Sequence, residues 1–374
     1  FSVGAAWAIN KQDFMSSATW VNDLRLKASY GQVGNNHLLD VNGNRIYYGY
    51  QALYNLGWSN GGLPGTVLSS LANPNLTWES SNTFNVGVNF SLFNNRLRGE
   101  AEYYKRGSDE LLLSVPRPLS SAVSTEFRNV GSMYNTGFEL SLTGDIVRND
   151  NFTWTLTKNF TTFKNEITKM PVETPVITAG NKRREVGRDY YAFWLRQYAG
   201  VDHADGSALY IPADGTAQEN IRVVDGKEYV TNQNYAKFDY SGTSIPDVMG
   251  SIINTFDYKA FTLSFLLNYQ IGGKIYDGNY VGLMSTNSYG KSYHVDAMKA
   301  WTTTNTTSDI PRLDQANSNN INAASTRWLT SASYFSIQNV NFQYRLPSSL
   351  LNKIDLSTAR VFFTGENLAL FSKR

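Results

Sequence analysis

The residues from 83 to 106, TFNVGVNFSLFNNRLRGEAEYYKR, alternate between apolar and polar side chains with a period of two. Successive side chains of a β-strand leave opposite faces, so this period predicts strands rather than helices. Two such runs on either side of Asn94 and Asn95 predict a hairpin with one apolar and one polar face. The apolar positions are Phe84, Val86, Val88, Phe90 and Leu92 before the turn, and Leu97, Gly99, Ala101 and Tyr103 after it.

The same alternation recurs along the chain in runs close to ten residues long. The runs are LRLKASYG (24–31), GFELSLTGDI (137–146), NFTWTLT (151–157) and AFTLSFLLNYQ (260–270). Strands of globular proteins average about five or six residues, whereas a tilted strand that crosses a bilayer needs about 9–11. The run length therefore favours membrane-crossing strands.

The connections between these runs alternate between short and long, as an up-and-down barrel requires. Short turns are predicted around Asn94, around Asn149 and at Tyr258–Lys259, and long extracellular loops at 33–82, 107–133 and 272–333. The stretch 164–246 must then contain an even number of crossings, the first being DYYAFWLRQYAG (189–200). We predict about twelve crossings in all, ending with ARVFFTGENLALF (359–371).

Composition limits the alternatives. The chain has no cysteine, which excludes disulfides and thiolate metal sites, and a net charge of +2 gives no electrostatic case for nucleic acid. A mean hydropathy of −0.35 suggests a soluble protein, but a membrane barrel needs apolar residues only at alternate positions. A soluble β-sandwich or lectin-like domain also alternates; the strand lengths and the alternation of connections favour the transmembrane antiparallel barrel.

The polar face of the predicted strands carries charges at mid-strand, which we expect to face the barrel lumen. These residues are Arg25, Lys27, Arg98, Glu100, Glu102, Glu139 and Asp145. Lys158 does not fit, because it shares parity with Trp154 and Leu156; a bulge or an early end of the lipid-facing band are the two explanations. The parity also slips between Ile337 and Val340, which predicts a β-bulge.

Catalytic, metal-binding and cofactor-binding constellations are not predicted. GWSNG (57–61) has the spelling of a nucleophile elbow around Ser59 but lies in a Gly/Asn-rich loop. His37, His203 and His294 lack the spacing of metal ligands. DHADG (202–206) resembles the start of a calcium loop without its later ligands, and a structural turn is the favoured alternative.

Aromatic residues in two long loops are the better candidates for contact with a ligand. Flat rings with a polar edge suit sugar stacking or peptide contact. Loop packing and a seat for a partner protein are the alternatives. The candidates are Tyr47, Tyr48, Tyr50, Tyr54 and Trp58 in the first loop, and Tyr280, Tyr289, Tyr293 and Trp301 in the second.

The order of local motifs resembles the SusC/RagA-type TonB-linked outer-membrane transporters of the Bacteroidota. The matching pieces, which run through nearly the whole chain, are LRLKASYGQVGNN, NPNLTWESSNTFNVGVNFSLFNNRLRGEAEYYKR, NVGSMYNTGFELSL, FDYKAFTLSFLLNYQIGGKIYD and SYFSIQNVNFQYRLP followed by ARVFFTGENLALF. Each piece alone is weakly specific, whereas five in the same order are strongly so.

The resemblance implies a 22-stranded barrel, an N-terminal plug, a TonB-contacting segment and a SusD-like lipoprotein lid, with oligosaccharide or peptide as cargo. This chain shows neither plug nor TonB box, so we expect residues 1–374 to be the C-terminal part of the barrel of a non-enzymatic nutrient importer in a Gram-negative outer membrane. The alternative is a non-transporting β-rich adhesin or carbohydrate-binding module; an outer-membrane enzyme lacks a credible nucleophile.

Overall fold

The computed structural model describes residues 1–39, 43–286, 290–352 and 355–373. It is built mainly of antiparallel strands. In chain order the strands are β1 Ser2–Ala8, β2 Val21–Asn35, β3 Leu53–Asn60, β4 Leu63–Ser70, β5 Glu79–Leu92, β6 Leu97–Pro116, β7 Thr125–Arg148, β8 Phe152–Lys169, β9 Val176–Ala179, β10 Lys182–Glu185, β11 Ala192–Arg196, β12 Tyr198–Val201, β13 Ala208–Tyr210, β14 Arg222–Val224, β15 Lys227–Tyr229, β16 Phe238–Thr243, β17 Val248–Tyr258, β18 Phe261–Ile271, β19 Lys274–Tyr276, β20 Leu329–Ser331, β21 Tyr334–Arg345 and β22 Arg360–Ser372.

The helices are short and lie in the connections. The α-helices are α1 Gly278–Met284, α2 Ser318–Ile321 and α3 Ser348–Leu351; single 3₁₀ turns cover Ile9–Lys11, Asp13–Met15, Leu119–Ser121, Gln218–Asn220, Gln233–Tyr235, Val295–Lys299 and Thr326–Trp328. Within the described ranges, none of these helices has the length and apolar character needed to cross a bilayer.

One large sheet organises the chain. Among the described residues it has ten strands in the order β1-β2-β5-β6-β7-β8-β17-β18-β21-β22, each antiparallel to its neighbour. The order follows the chain, so the sheet is an up-and-down meander. The shortest connections are 93–96, 149–151 and 259–260, all at one end of the strands, and they confirm the three predicted turns. Phe93, Asn94 and Asn95 all have positive φ, which asparagine tolerates in tight turns.

The opposite end of the strands carries the long connections, but their bounds differ from those predicted. β6 and β7 continue as paired strands through most of 107–133, and the chain reverses only at 117–124. Backbone hydrogen bonds between strands do not require alternating side chains. Strands β6 and β7 therefore extend beyond the segment in which apolar and polar residues alternate. The connection between β2 and β5 contains a separate β3–β4 hairpin, and β18 is joined to β21 by residues 272–333.

The large sheet has ten strands among the described residues, against a predicted count of about twelve crossings. Among the described residues, no part of the stretch between β8 and β17 joins the large sheet. DYYAFWLRQYAG, predicted as a crossing, forms β11 in a separate sheet ordered β16-β11-β10-β9, and β12 in a two-stranded one. Phe193 and Leu195 are buried in this connection. The alternation of these residues reflects burial of one face of a strand within the folded connection. Such a strand has the same period of two as a strand that exposes one face to lipid.

The register gives the large sheet one polar and one apolar face. One row across β2, β5, β6 and β7 consists of Lys27, Gly87, Glu102 and Glu139, each directly opposite the next. Directly opposed residues of antiparallel strands share a face. The predicted lumen-facing residues therefore all lie on one side, and Leu26, Val88, Ala101 and Leu140 form the neighbouring row on the other.

Both parity irregularities are resolved by the register. A shift at Gln338 separates Ile337 from Asn339 in the pairing of β21 with both neighbours, which confirms the predicted bulge. The segment from Trp154 to Lys158 contains no bulge, because its pairing with β17 is continuous. Lys158 therefore lies on the apolar face, between Leu142 and Ile252.

The buried core lies in the long connections rather than in the sheet. One cluster consists of Ala208, Tyr210, Val230, Ala236 and Ala323, and a second of Met284, Ala297 and Trp328. The first joins residues from both the 170–247 and 272–333 connections. Tyr198 also donates its backbone N–H to Thr326 Oγ1 at 2.9 Å. The two connections thus pack as one folded unit at the long-connection end.

Candidate functional site

An ion cluster occupies the polar face of the sheet near its first strands. Lys27 Nζ lies between the carboxylates of Glu100 and Glu102, at 2.7 Å from Glu102 Oε2. Glu102 and Glu139 also line a concavity of about 340 Å³ with Tyr104 and Arg106. The strand register produces this cluster, because β2 and β6 both pair with β5 and only Gly87 separates Lys27 from Glu102.

The other predicted polar-face residues make local contacts. Arg25 pairs with Asp23 at 3.1 Å, and Arg98 Nη1 donates to the carbonyl of Asn95 at 3.3 Å. Asp145 accepts from Thr155 Oγ1 at 3.1 Å. All seven side chains thus belong to one polar surface, and among the seven Lys27 forms ion pairs with Glu100 and Glu102.

The first aromatic segment is largely exposed. Tyr47 and Tyr50 line a concavity of about 470 Å³ together with Arg45, Trp78 and apolar residues of the same connection. Arg45 lies over the ring of Tyr47, 5.3 Å from its centroid. Tyr48 is 59% exposed and does not line the concavity. Aromatic rings beside a guanidinium suit a ligand that has both an apolar body and an anionic or hydroxylated edge.

Tyr54 and Trp58 lie on the separate β3–β4 hairpin. All eight residues of β3 are exposed, including Leu56 at 79% and Trp58 at 57%. Gly61 and Gly62 form the tip with positive φ, which glycine adopts without strain. A hairpin that exposes several large apolar side chains has the character of a protein-contact surface.

The second aromatic segment is divided by the structure. Trp301 is only 6% exposed, and its Nε1 donates to the carbonyl of His203 at 3.0 Å. Tyr280 packs edge-on against Trp328 and donates its hydroxyl to Asp296 at 3.1 Å. These two rings pack within the connection and help to hold it together. Tyr293 is 43% exposed, and Tyr289 lies outside the described residues.

The DHADG segment forms a turn held by an arginine. Arg222 Nη1 donates to Asp202 Oδ2 at 3.0 Å and to Asp205 Oδ2 at 2.8 Å. The hydrogen bond to Asp205 is the main cause that raises the pKa of Arg222. The guanidinium thus takes the place that a cation would occupy, in agreement with the structural-turn interpretation. Over the described ranges, no group of three acidic, histidine or cysteine side chains is arranged to hold a metal.

Lys182 is a partly buried cation that sequence reasoning missed. Its ammonium contacts the carbonyl of Tyr191 and the hydroxyl of Ser244, and lies 3.1 Å from the ring centroid of Phe193. Burial lowers the pKa of Lys182 to about 8. The basic run NKRRE gave no signal of this, because the contacts come from residues up to 62 positions away.

Arg45 and Trp78 were also missed as partners of the tyrosines. They are 33 positions apart in the sequence and meet only when the connection folds back on itself. The one signal in the sequence was that Trp78 is an even number of residues from Phe84, which places the Trp78 ring on the apolar side of the strand.

Comparison with known proteins gives a consistent picture. Residues 1–368 match the family model described as TonB dependent receptor-like, beta-barrel. The chain is 28% identical over 389 residues to TonB-dependent receptor P3 of Formosa agariphila, a match that covers all of this chain and 37% of the relative. It is 26% identical to TonB-dependent receptor SusC of Bacteroides thetaiotaomicron, over 78% of this chain and 30% of the relative.

Among solved structures, the RagAB peptide importer in its closed-closed state superposes with a TM-score of 0.82 at 28% identity. That match covers all of this chain and 40% of the other. In its open-open state the TM-score is 0.78 over 39% of that chain. The chain thus spans about two fifths or less of the proteins it matches.

Proposed function

This chain belongs to the TonB-dependent receptor-like β-barrels of the outer membrane, and from that premise we propose that residues 1–374 form the C-terminal part of the barrel of a nutrient importer. The observation that supports this most directly is the ten-stranded meander with one charged and one apolar face. A barrel wall of this kind needs a lipid-facing and a water-facing side. The transporter family implies a role in passage rather than catalysis.

The polar face bearing Lys27, Glu102 and Glu139 is proposed to line the lumen, and the long connections to face the cell exterior. Outer-membrane barrels have short periplasmic turns and long extracellular loops. Cargo would be an oligosaccharide or a peptide, taken up with energy supplied through TonB. The similarity to a protein named as a peptide importer supports a peptide as cargo. The exposed tyrosines suit either an oligosaccharide or a peptide.

A SusD-like surface lipoprotein is the proposed partner, and the β3–β4 hairpin its proposed contact. The exposure of Leu56 and Trp58 at the long-connection end supports this choice. Tyr47, Tyr50 and Arg45 line the adjacent concavity, which we propose contacts cargo or the lipoprotein.

The import function is tested in cells that carry the full-length transporter. Deletion of its gene should abolish growth on at least one oligosaccharide or peptide source, and restoration of the gene should recover it. Removal of TonB should have the same effect. Unchanged growth on every such source, or recovery of the protein in the soluble fraction, would contradict the proposal and favour a binding module.

The partner surface is tested by the paired change Leu56→Glu and Trp58→Glu in an affinity-tagged transporter. A lipoprotein should purify with the unchanged transporter and be lost with the variant. Val172→Glu is the matched control, because Val172 is 92% exposed on a different connection. Equal recovery of the lipoprotein with both variants would exclude the hairpin as its contact.

A further inference from the structure

A groove crosses the apolar face of the large sheet close to the long-connection end. It has a volume of about 390 Å³, and its lining includes Tyr30, Phe84, Lys105, Gly107, Asp109 and Tyr134. In the register Phe84 lies opposite Lys105, and Ser80 lies opposite Asp109. Both charged residues therefore lie on the face that carries the apolar side chains, at the point where the apolar rows end.

Among the residues that the structure describes, Lys105 and Asp109 are charged groups without ionic partners. No carboxylate of the described residues lies within 4.0 Å of Lys105 Nζ, and no cationic group of that part of the chain lies so close to the Asp109 carboxylate. The neighbouring outward charges, Lys164 and Glu166, pair with each other at 3.2 Å. Asp109 Oδ2 accepts a hydrogen bond from Asn82 Nδ2 at 3.0 Å. An unpaired charge beside apolar surface is costly unless a ligand supplies the opposite charge.

The two charges are ordered along strand β6. Lys105 Nζ lies 4.8 Å from the ring centroid of Tyr134, and Tyr134 lies opposite Gly107 in the register. The ammonium thus extends away from the apolar rows to the level of Gly107, as long cationic side chains do at membrane surfaces. Asp109 lies two residues further, about 7 Å along the strand. The positive group is nearer the lipid tails and the negative group nearer the exterior.

This order is the reverse image of a phosphoethanolamine headgroup, in which the phosphate is attached next to the lipid tails and the ammonium lies beyond it. We propose that the groove binds a lipid of the outer leaflet that carries phosphoethanolamine, with its phosphate at Lys105 and its ammonium at Asp109. The rings of Tyr30 and Phe84 flank the acyl chains below. The inference depends on the outer-membrane location and not on the cargo or the partner protein.

Gly107 provides the space for the headgroup. A Cβ placed there meets only the carbonyl oxygen of Asn82, at 4.0 Å. Its φ is not among the positive values that only glycine adopts easily. A larger side chain is therefore tolerated by the backbone but occupies the groove. This allows the groove to be blocked without a change of charge.

The test measures the thermal unfolding of the full-length transporter in detergent as phosphatidylethanolamine, phosphatidylglycerol or phosphatidylcholine is added. Phosphatidylethanolamine should raise the melting temperature more than the other two lipids. Lys105→Gln, Asp109→Asn and Gly107→Leu should each weaken this effect about tenfold in lipid concentration, since each removes a charged hydrogen bond or the space for the headgroup.

Two controls separate the groove from general lipid effects. Gly144→Leu adds the same side chain on the apolar face near the short turns, and Lys259→Gln removes a lysine that lies over Tyr258 at the opposite rim. Both should respond to phosphatidylethanolamine as the unchanged protein does. Equal stabilisation by all three lipids, or an undiminished response of Gly107→Leu, would overturn the proposal.

Discussion

Lys158 lies directly opposite Ile252 in the register of β8 and β17, on the face of the sheet that is otherwise apolar. Leu142 flanks it on the other side. Phe152 begins the strand six residues before Lys158 and Lys164 follows six residues after it, so the ammonium group lies near the middle of the lipid-facing band. The continuous register excludes the bulge considered as one explanation.

The substitution Lys158→Leu is expected to stabilise the barrel. A lysine at the bilayer midplane costs about 2–4 kcal/mol on the lipid face of an outer-membrane barrel, and a leucine at this position would continue the apolar row of Leu142 and Ile252. The measurement is the free energy of unfolding of the full-length protein in lipid bilayers. Lys259→Leu, at the short-turn rim, is the control and should change it little. A loss of stability in the first variant would mean that the ammonium has a partner in the assembled transporter.

Replacement of Lys27 by methionine is expected to destabilise the sheet by about 1 kcal/mol, because Glu100 and Glu102 lose their shared cation while the groups stay partly solvated. Glu139→Gln should act in the opposite direction, since Glu139 lies directly opposite Glu102 and like charges repel there. Chemical denaturation of both variants measures the difference. Unchanged or raised stability of the Lys27 variant would mean that the ion cluster has no structural role.

Replacement of Trp301 by alanine is expected to cost about 3–5 kcal/mol of stability in the folded unit formed by the long connections. The indole is buried and its Nε1 bonds the carbonyl of His203, so a cavity and an unpaired acceptor would remain. Tyr293→Ala should change stability by less than about 0.5 kcal/mol because Tyr293 is exposed. Limited proteolysis of the two variants provides the measurement. Similar cleavage rates would refute the packing role of Trp301.

The stability of the same unit is expected to rise with pH through the titration of Lys182. Its pKa is lowered from 10.5 to about 8 by burial, so between these values the unfolded chain binds more protons than the folded one. Folding is therefore favoured progressively as pH increases above about 8, up to about 10.5. Proteolytic protection of residues 170–247 across this range tests the effect, and Lys182→Met should abolish the dependence. A decrease in protection with rising pH would contradict the assignment.

The period-two pattern was sufficient to predict the strands, their two faces and the short turns, because the direction in which a strand side chain points depends only on its own backbone. The turns around Asn94, Asn149 and Lys259 and the bulge near Ile337 are local in the same sense. The seven charged residues of the polar face could be assigned together for that reason. Lys158 was recognised as an exception but not explained.

The tertiary structure decided which sheet each strand joins and which side chains are buried. The alternation of AFWLR is the same whether its partner is the barrel wall or β16, and only pairing between segments far apart in the sequence distinguishes the two. Trp301 and Tyr47 both read as loop aromatics, yet one is buried and the other exposed. Burial depends on contacts between distant segments, so it is absent from local pattern and arises only when the long connections pack against each other.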